Sequence, residues 1–282
     1  MKIPKNRTLA AIMVWWTFFL MITGIVLFLA RPPINTIIRC IIIAAPAELV
    51  LTIALYYIIF FIWSNKYRHI EKLLEEYGPG QKCAGELFTL IIGEKNPAMK
   101  NRCIQMLASI YLEMGEAEKV IDTLLKMDKT TLYNDNSDPL RPYYEAEYQF
   151  LMMSAYDMLE DKDQIFKIYK NNLPLFKQVY TSKADQYKLK TIEVFVENCV
   201  NNYDKCLEIL NSIDTTDNPR LEVAVLLNKA DIYIKTGMLD EADEILNKIR
   251  YNIAGVANAK FYDKCCSRLS DARSAKEGTP KA

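Results

Sequence analysis

Residues 223–249 read VAVLLNKADIYIKTGMLDEADEILNKI, and this segment carries the clearest pattern in the chain. Its spaced residues are Ala230, Tyr233 and Gly237, and then Ala242, Leu246 and Ile249. Residues 101–134 repeat the spacing with Ala108, Tyr111 and Gly115, and then Val120, Leu124 and Met127. A glycine commonly ends a helix, and a small residue lets a second helix approach closely. Each segment is therefore predicted to contain a helix that ends at the glycine and a second helix that packs closely against it.

This spacing resembles the tetratricopeptide repeat (TPR), a pair of antiparallel helices repeated every roughly 34 residues. Residues 146–173 and 188–213 match the same pattern mainly through their second helices. The resemblance implies an all-α, TPR-like α-solenoid of antiparallel helix pairs over residues 64–272. Solenoids need covered ends, so terminal helices are expected at 64–77, 83–92 and 256–272. Residues 273–282 are predicted to be a polar tail.

Residues that interrupt helices divide this segment into helices of about 12 to 20 residues. Clusters of Gly, Pro, Asn and Asp mark the breaks, because they favour turns over helical backbone. The predicted breaks lie at residues 77–80, 96–97, 134–142, 171–174 and 214–219.

In TPR proteins, the first helix of each pair lines a concave groove that holds a protein or peptide partner. By this resemblance the candidate groove residues of the first unit are Gln105, Met106, Ser109, Leu112 and Glu113. Those of the last unit are Leu227, Asn228, Asp231, Ile234 and Lys235. The Lys and Asn clamp by which chaperone adaptors hold a C-terminal carboxylate is missing, so chaperone-tail binding is not expected. The alternative is that these residues merely cover a solvated inner face.

Two long apolar runs precede the repeats. Residues 9–30 contain no charged side chain, and residues 41–63 contain one. At ~1.5 Å per helical residue, each run can cross a hydrocarbon core of about 30 Å. The sequence therefore predicts a transmembrane helical hairpin over residues 9–63, after a basic N-terminal segment at 1–8. A cleaved signal peptide is the weaker alternative, because Phe28 stands where a small residue is needed.

Basic residues lie mainly on one side of this predicted hairpin. Lys2, Lys5, Arg7, Lys66, Arg68 and Lys72 flank one side, and Arg31 and Arg39 flank the other. Because cytoplasmic flanks are enriched in Lys and Arg, both termini are expected in the cytoplasm. We expect a two-pass integral membrane protein. A short basic N-terminus without a eukaryotic sorting motif favours a bacterial plasma membrane.

Glu48 is the single acid within the predicted spans. If the hairpin turns near residues 35 and 36, Glu48 lies level with Thr23. An acid at this depth costs about 2.5–3.5 kcal/mol unless it is neutralised or paired. One interpretation is a contact with a partner's transmembrane helix, or a proton or ion path. The other is a protonated Glu48 that shares a hydrogen bond with Thr23, or with the carbonyl that Pro46 leaves without a donor.

The composition disfavours catalytic and nucleic-acid-binding classes. Seven cysteines include no C-x-x-C pair and His69 is the only histidine, so neither a metal site nor a cofactor is indicated. Residues 65–282 carry 34 acidic and 30 basic residues, which argues against a basic surface for nucleic acid. An enzyme is therefore not expected.

The sequence predicts a non-catalytic, membrane-tethered adaptor or scaffold that binds a protein or peptide in a TPR-like groove. The bilayer itself is then a second partner. The alternative is a small subunit of a membrane transport or export complex, in which Glu48 contacts the transmembrane helix of another subunit.

Overall fold

The computed structural model describes residues 78–128, 141–182, 185–216, 218–253 and 255–277, and single helical positions at 54, 57, 72 and 74. The chain divides into two compact units, residues 1–75 and 76–282. The predicted hairpin at 9–63, with Thr23 and Glu48, thus lies outside the described residues apart from two positions. No helix among the described residues is long and apolar enough to span a bilayer.

Ten α-helices account for the described part of the second unit. They are α1 (Gln81–Gly93), α2 (Pro97–Glu113), α3 (Ala117–Leu124), α4 (Arg141–Met158), α5 (Lys162–Val179), α6 (Gln186–Cys199), α7 (Tyr203–Asn211), α8 (Pro219–Thr236), α9 (Leu239–Ile249) and α10 (Val256–Glu277). The all-α prediction is confirmed for these residues. The last helix, α10, continues into the segment that was predicted as a polar tail.

The helices pack in chain order as four pairs, α2 with α3, α4 with α5, α6 with α7, and α8 with α9. Neighbouring pairs contact one another, for example α2 with α4 and α7 with α8. At the ends, α1 packs on α2, and α10 packs on α8 and α9. Each pair therefore buries its apolar side against its neighbours, as a helical solenoid requires.

Most of the predicted breaks coincide with helix starts. Asn96 precedes Pro97, and its side chain accepts hydrogen bonds from the backbone N–H of Ala98 and Met99 at 3.1 and 3.4 Å. Asn218 precedes Pro219 and accepts from the N–H of Leu221 at 3.0 Å. Both segments combine an N-cap asparagine with proline in the first helical position, where its missing N–H is not needed.

The predicted break at 171–174 is wrong, because α5 continues through Pro174 to Val179. Proline removes one helical hydrogen bond. The Asn172 side chain donates to the carbonyl of Ile168 at 2.8 Å, one turn earlier. Beyond the proline, Phe176 and Tyr180 are buried with their rings stacked at 6.0 Å. Burial of these two rings in the core holds the last turns of the helix in place.

In all four pairs, the turn between the two helices contains a residue with a left-handed backbone conformation. Gly115 and Gly237 have φ angles of 67° and 78°, and Glu160 and Asn201 occupy the equivalent positions with φ of 59° each. In each case the N–H of the following residue bonds back to the first helix, as from Met238 to the Tyr233 carbonyl at 2.9 Å. The two units without a glycine therefore adopt the same turn, at a cost of about 1–2 kcal/mol for a residue with a Cβ.

Candidate functional site

The inner surface of the array is formed by the first helices of the four pairs. Residues of α2, α4, α6 and α8 line one common cavity of about 470 Å³. The C-terminal helix α10 completes the lining, because it packs on α8 and also contacts α2 of the first pair. The inner surface therefore already holds a helix, which belongs to the same chain.

Contacts at the start of α10 join the last pair to the first. Lys260 Nζ donates to the carbonyl of Gly115 at 3.4 Å, and Asn258 Nδ2 donates to the carbonyl of Arg220 at 3.2 Å. Arg220 in turn forms an ion pair with Glu113 of α2 at 3.1 Å. These contacts connect α8, the first helix of the last pair, with the C-terminal end of α2 in the first pair.

Three basic residues at positions i, i+4 and i+8 of α10 lie along one side of the helix. This basic stripe consists of Lys260, Lys264 and Arg268. Lys264 Nζ lies 2.6 Å from Glu160 Oε1, and Arg268 Nη1 lies 2.6 Å from Asp231 Oδ1. Arg268 also pairs with Glu160. The stripe thus meets two acids of the inner surface, one at the α4–α5 turn and one on α8.

The two halves of α10 are held differently. Cys265 and Leu269 are buried in the same core as Ala230 and Leu227 of α8. By contrast, no residue of the first half, 256–264, is fully buried. The first half combines polar contacts with the partly buried side chains of Phe261 and Tyr262, which pack against the same core.

The cavity beneath α10 combines apolar walls with polar groups. Its apolar lining comes from Leu112, Met158, Ile165, Phe195, Ala224 and Phe261. Lys235 bonds to Asp231 at 2.7 Å and to the Asn198 side chain at 3.1 Å. Asp157 borders the same cavity, and in the described part of the chain its carboxyl makes no hydrogen bond or ion pair. The volume of this cavity lies within the range of about 300–1,000 Å³ that is typical of ligand pockets. The cavity therefore has room for further side chains.

The acids of the inner surface differ in their pKa. Burial raises the pKa of Asp157 to about 7, and the positive charges of Lys235 and Lys264 reverse this only in part. At Glu160 the hydrogen bond from Lys264 lowers the pKa, burial opposes it, and the bond from Arg268 lowers it further, to about 2. Glu160 is therefore ionised at every physiological pH, whereas Asp157 titrates near neutrality.

Replacing Asp157 with asparagine should remove a pH dependence of stability. Between about pH 4 and pH 7 the folded chain keeps a proton on Asp157 that the unfolded chain has lost, so the free energy of unfolding falls as the pH rises. We expect the advantage of Asp157→Asn over wild type to grow by about 4 kcal/mol between pH 4 and pH 8, because each unit by which the pKa is raised contributes about 1.4 kcal/mol. Urea denaturation of both proteins at pH 4 and pH 8 measures this difference in the free energy of unfolding. Asp263→Asn, on the exposed side of α10, is the control, and an equal gain there would contradict the prediction.

Three thiols of the array are not activated for nucleophilic chemistry. Burial raises the pKa of Cys199 and Cys206 to about 11 and that of Cys265 to about 12. A nucleophilic cysteine needs the opposite shift. Within the ranges that the structure describes, no three His, Cys, Asp or Glu side chains are grouped to hold a metal ion.

The candidate groove residues fall into three groups. Those that line the cavity are Leu112, Asn228, Asp231 and Lys235. A second group makes polar contacts within the array. The Gln105 side chain donates to the Tyr144 carbonyl at 2.6 Å, and Ser109 donates to the Gln105 carbonyl of its own helix at 3.1 Å. Glu113 forms an ion pair with Arg220. Those at least partly buried and away from the cavity are Met106, Leu227 and Ile234.

Leu227 needs a correction in particular. The repeat pattern predicts a groove position for Leu227, but this residue is 0 % exposed and packs in the core between α8, α9 and α10. Helical geometry places Asn228 and Leu227 on adjacent faces, separated by about 100°. Only the packing of α10 and α9 against α8 establishes which face is inside.

Sequence reasoning missed the residues that hold α10 in place. Glu160 lies in a unit that matches the repeat pattern weakly, and the sequence predicts α10 only as a covering terminal helix. The signal that could have identified them is the basic stripe, because three basic residues at i, i+4 and i+8 mark one helix face that needs acidic neighbours.

Comparison with known proteins gives one match. Residues 223–249 match the tetratricopeptide repeat, and this segment contains most of α8 and all of α9. No curated protein and no solved structure matches the chain. The matched pair together with the all-helical fold supports a TPR-like array. Repeats of this type suggest a role in protein–protein interaction or scaffolding, and they are generally non-catalytic.

Proposed function

We propose that this chain is a non-catalytic scaffold that binds a partner protein on the inner surface of its helix array. The observation that carries the proposal is that this surface already binds a helix, α10. The helix lies over a cavity and forms ion pairs with two acidic residues, Glu160 and Asp231. A surface that holds one helix has the shape and the polar groups to hold another. The matched repeat supports a protein partner over a small metabolite.

A membrane tether is the second part of the proposal, and it rests on the apolar runs at 9–30 and 41–63. A tether raises the effective concentration of the array near membrane-associated partners. We propose a two-pass protein of a bacterial plasma membrane with both termini in the cytoplasm. The full chain should then stay with the membrane fraction at alkaline pH. A membrane-impermeant label should not reach a tag after Ala282 in intact cells, and efficient labelling would reverse the orientation.

Site-specific photo-crosslinking in living cells tests the role of the inner surface. A photoreactive residue at Lys235 lines the cavity, and the same residue at Lys248 lies on the outer helix α9 of the same pair. Both positions are lysines on helices of the same pair, and Lys235 in addition pairs with Asp231. We expect one discrete protein to be captured from position 235 and not from 248. Capture of that protein from position 248 alone would contradict the proposal.

The alternative role, as a small subunit of a membrane transport or export complex, is favoured by Glu48 within an otherwise uncharged run. An acid at such a position commonly contacts another transmembrane helix. Glu48→Gln separates the two roles. A scaffold should keep its crosslinked partner in this variant, whereas loss of an assembled complex on native gels would support the subunit role.

A further inference from the structure

The cavity of about 470 Å³ between α10 and the first helices persists while α10 is docked. We infer that this cavity binds a small molecule with an apolar body and one primary ammonium group, and that the carboxylate of Asp157 receives the ammonium. The inference goes beyond the proposed function, because the occupant is a small molecule and the protein partner is a separate ligand. All contacts that hold α10 stay in place.

Asp157 is the acid of this cavity that the chain leaves available. Three acids line the cavity, and the other two are engaged, because Glu160 pairs with Lys264 at 2.6 Å and Asp231 pairs with Lys235 at 2.7 Å. In the described part of the chain, the partly buried carboxyl of Asp157 makes no hydrogen bond or ion pair. A carboxylate shielded from water without a partner is costly, so a ligand that supplies one gains free energy there.

The polar groups that share this wall offer acceptors to a ligand. Ser154 lies three residues before Asp157 on α4 and therefore on the same side of the helix. Its hydroxyl donates to a carbonyl of its own helix at 2.9 Å, and Thr191 of α6 does the same at 2.8 Å. Each hydroxyl has one hydrogen, so only lone pairs remain for a ligand. A primary ammonium, with three N–H donors and no acceptor, complements such a wall.

The basic side chains of the lining do not favour an anionic ligand. Lys162 and Lys260 are exposed, and they donate to the carbonyls of Cys199 and Gly115. An anion that bound them would stay in water, where ion pairs contribute little. The other three bases are already paired with the two engaged acids. The site shielded from water is therefore the carboxylate of Asp157.

The remaining lining of the cavity suits an apolar body. Its apolar side chains come from four of the helices and a turn-proximal residue of α4, and they are Leu112, Met158, Ile165, Phe195, Ala224 and Phe261. Contact with these walls removes apolar ligand surface from water, which supplies affinity. The ammonium fixes the orientation of the ligand, as a few polar groups commonly do in ligand pockets.

Three probes with the same body and different head groups test this chemistry by isothermal titration calorimetry on the purified full chain. They are 4-phenylbutylamine, 4-phenylbutanol and 4-phenylbutyrate. At pH 8 we expect the amine to bind with a millimolar or lower Kd, as ligands of this size do. The alcohol should bind about tenfold more weakly, because it offers no charge to Asp157, and the acid should bind most weakly.

Matched variants locate the amine in the cavity. Asp157→Asn should weaken the amine by about tenfold or more and leave the alcohol within about twofold, because only the amine uses the charge. Asp263→Asn, on the exposed side of α10, should bind like wild type. Ala224→Phe fills part of the cavity and should weaken amine and alcohol alike. Circular dichroism controls for folding, and comparison between variants cancels any uptake of probe by detergent or lipid.

Proton release gives a second readout that depends on Asp157. Because burial raises the pKa of Asp157 to about 7, binding of an ammonium at pH 6 should release about one proton, and at pH 8 few. The affinity should rise about tenfold between these pH values. Titration at pH 6 in buffers of different ionisation enthalpy measures the release, and Asp157→Asn should abolish it.

The groups around Asp157 leave this readout specific. The charged and titratable groups that face it are Glu160 at the turn, Cys199 of α6, Asp231 and Lys235 of α8, and Lys264 of α10. The pKa of Glu160 is about 2 and that of Cys199 about 11, so neither titrates between pH 6 and pH 8. Asp231 and Lys235 are paired with each other.

Several results would overturn the inference. They are an affinity for the acid equal to that for the amine, amine binding that Asp157→Asn leaves unchanged, or no amine binding at millimolar concentration. Tighter binding of Nα-acetyl-lysine methylamide than of 4-phenylbutylamine would also overturn it, because the occupant would then be a lysine of a partner protein. If the amine binds but crosslinking from position 235 captures no protein, the scaffold role fails and the ligand site stands. If a protein is captured but the amine does not bind, the reverse holds.

Discussion

Replacing Glu147 with leucine is expected to lower the free energy of unfolding by roughly 3 kcal/mol, because it leaves the buried ammonium of Lys188 without its main partner. Lys188 Nζ lies 2.5 Å from Glu147 Oε1 and only 3.9 Å from Asp185. The Tyr180 hydroxyl donates to the same Glu147 oxygen at 3.0 Å. Urea denaturation followed by circular dichroism measures the loss.

The double variant Glu147→Leu with Lys188→Met is the control for this prediction. Burial is the largest single influence and lowers the pKa of Lys188, but the hydrogen bond and the negative charge of Glu147, with smaller contributions from Tyr187 and Tyr143, together raise it above its ordinary value, so the lysine is charged in the folded chain. Removing both charges leaves an apolar pair beside the rings of Tyr143 and Phe150. The double variant should therefore regain most of the free energy of unfolding that Glu147→Leu loses. A double variant no more stable than Glu147→Leu alone would show that the effect comes from packing or from the lost acceptor of the Tyr180 hydroxyl, and not from the unpaired charge.

Leu227→Ala is expected to lower the free energy of unfolding by about 3 kcal/mol, and Asn228→Ala by less than about 1 kcal/mol. Leu227 is fully buried between α8, α9 and α10, so truncation leaves a cavity in the core. Asn228 is half-buried at the cavity, and its side chain donates only to the Ala224 carbonyl of its own helix, at 2.8 Å.

The same two variants distinguish a residue of the core from a residue of the binding surface. Asn228→Ala should alter crosslinking from position 235 while leaving stability nearly unchanged, and Leu227→Ala should do the opposite when compared well below its unfolding midpoint. Equal stability losses in the two variants would contradict the assignment of Leu227 to the core.

The position of α10 changes how the inner surface is understood. A groove that is open in solution would offer its residues directly to a partner. Here the acids Glu160 and Asp231 are already engaged, and Glu113 pairs across the array with Arg220. A partner that used these acids would have to displace contacts that the chain makes with itself, and its affinity would be lower by the cost of breaking them.

Local sequence signals were sufficient for most of the fold. The glycine, small-residue and tyrosine spacing predicted the first and last helix pairs, because those residues act within one turn and its two helices. Asparagine followed by proline predicted the starts of α2 and α8 for the same reason. The break at Pro174 failed, since burial of Phe176 and Tyr180 outweighs the loss of one backbone hydrogen bond.

The sequence by itself determined that the described residues of the second unit form helices, because helix periodicity and turn residues are properties of neighbouring positions. It also placed Leu112, Asn228, Asp231 and Lys235 on the side of the array where the cavity lies. Only the tertiary structure decided that α10 covers this surface and that Leu227 belongs to the core. Both depend on contacts between residues far apart in the chain, such as Lys264 with Glu160, which no local pattern encodes.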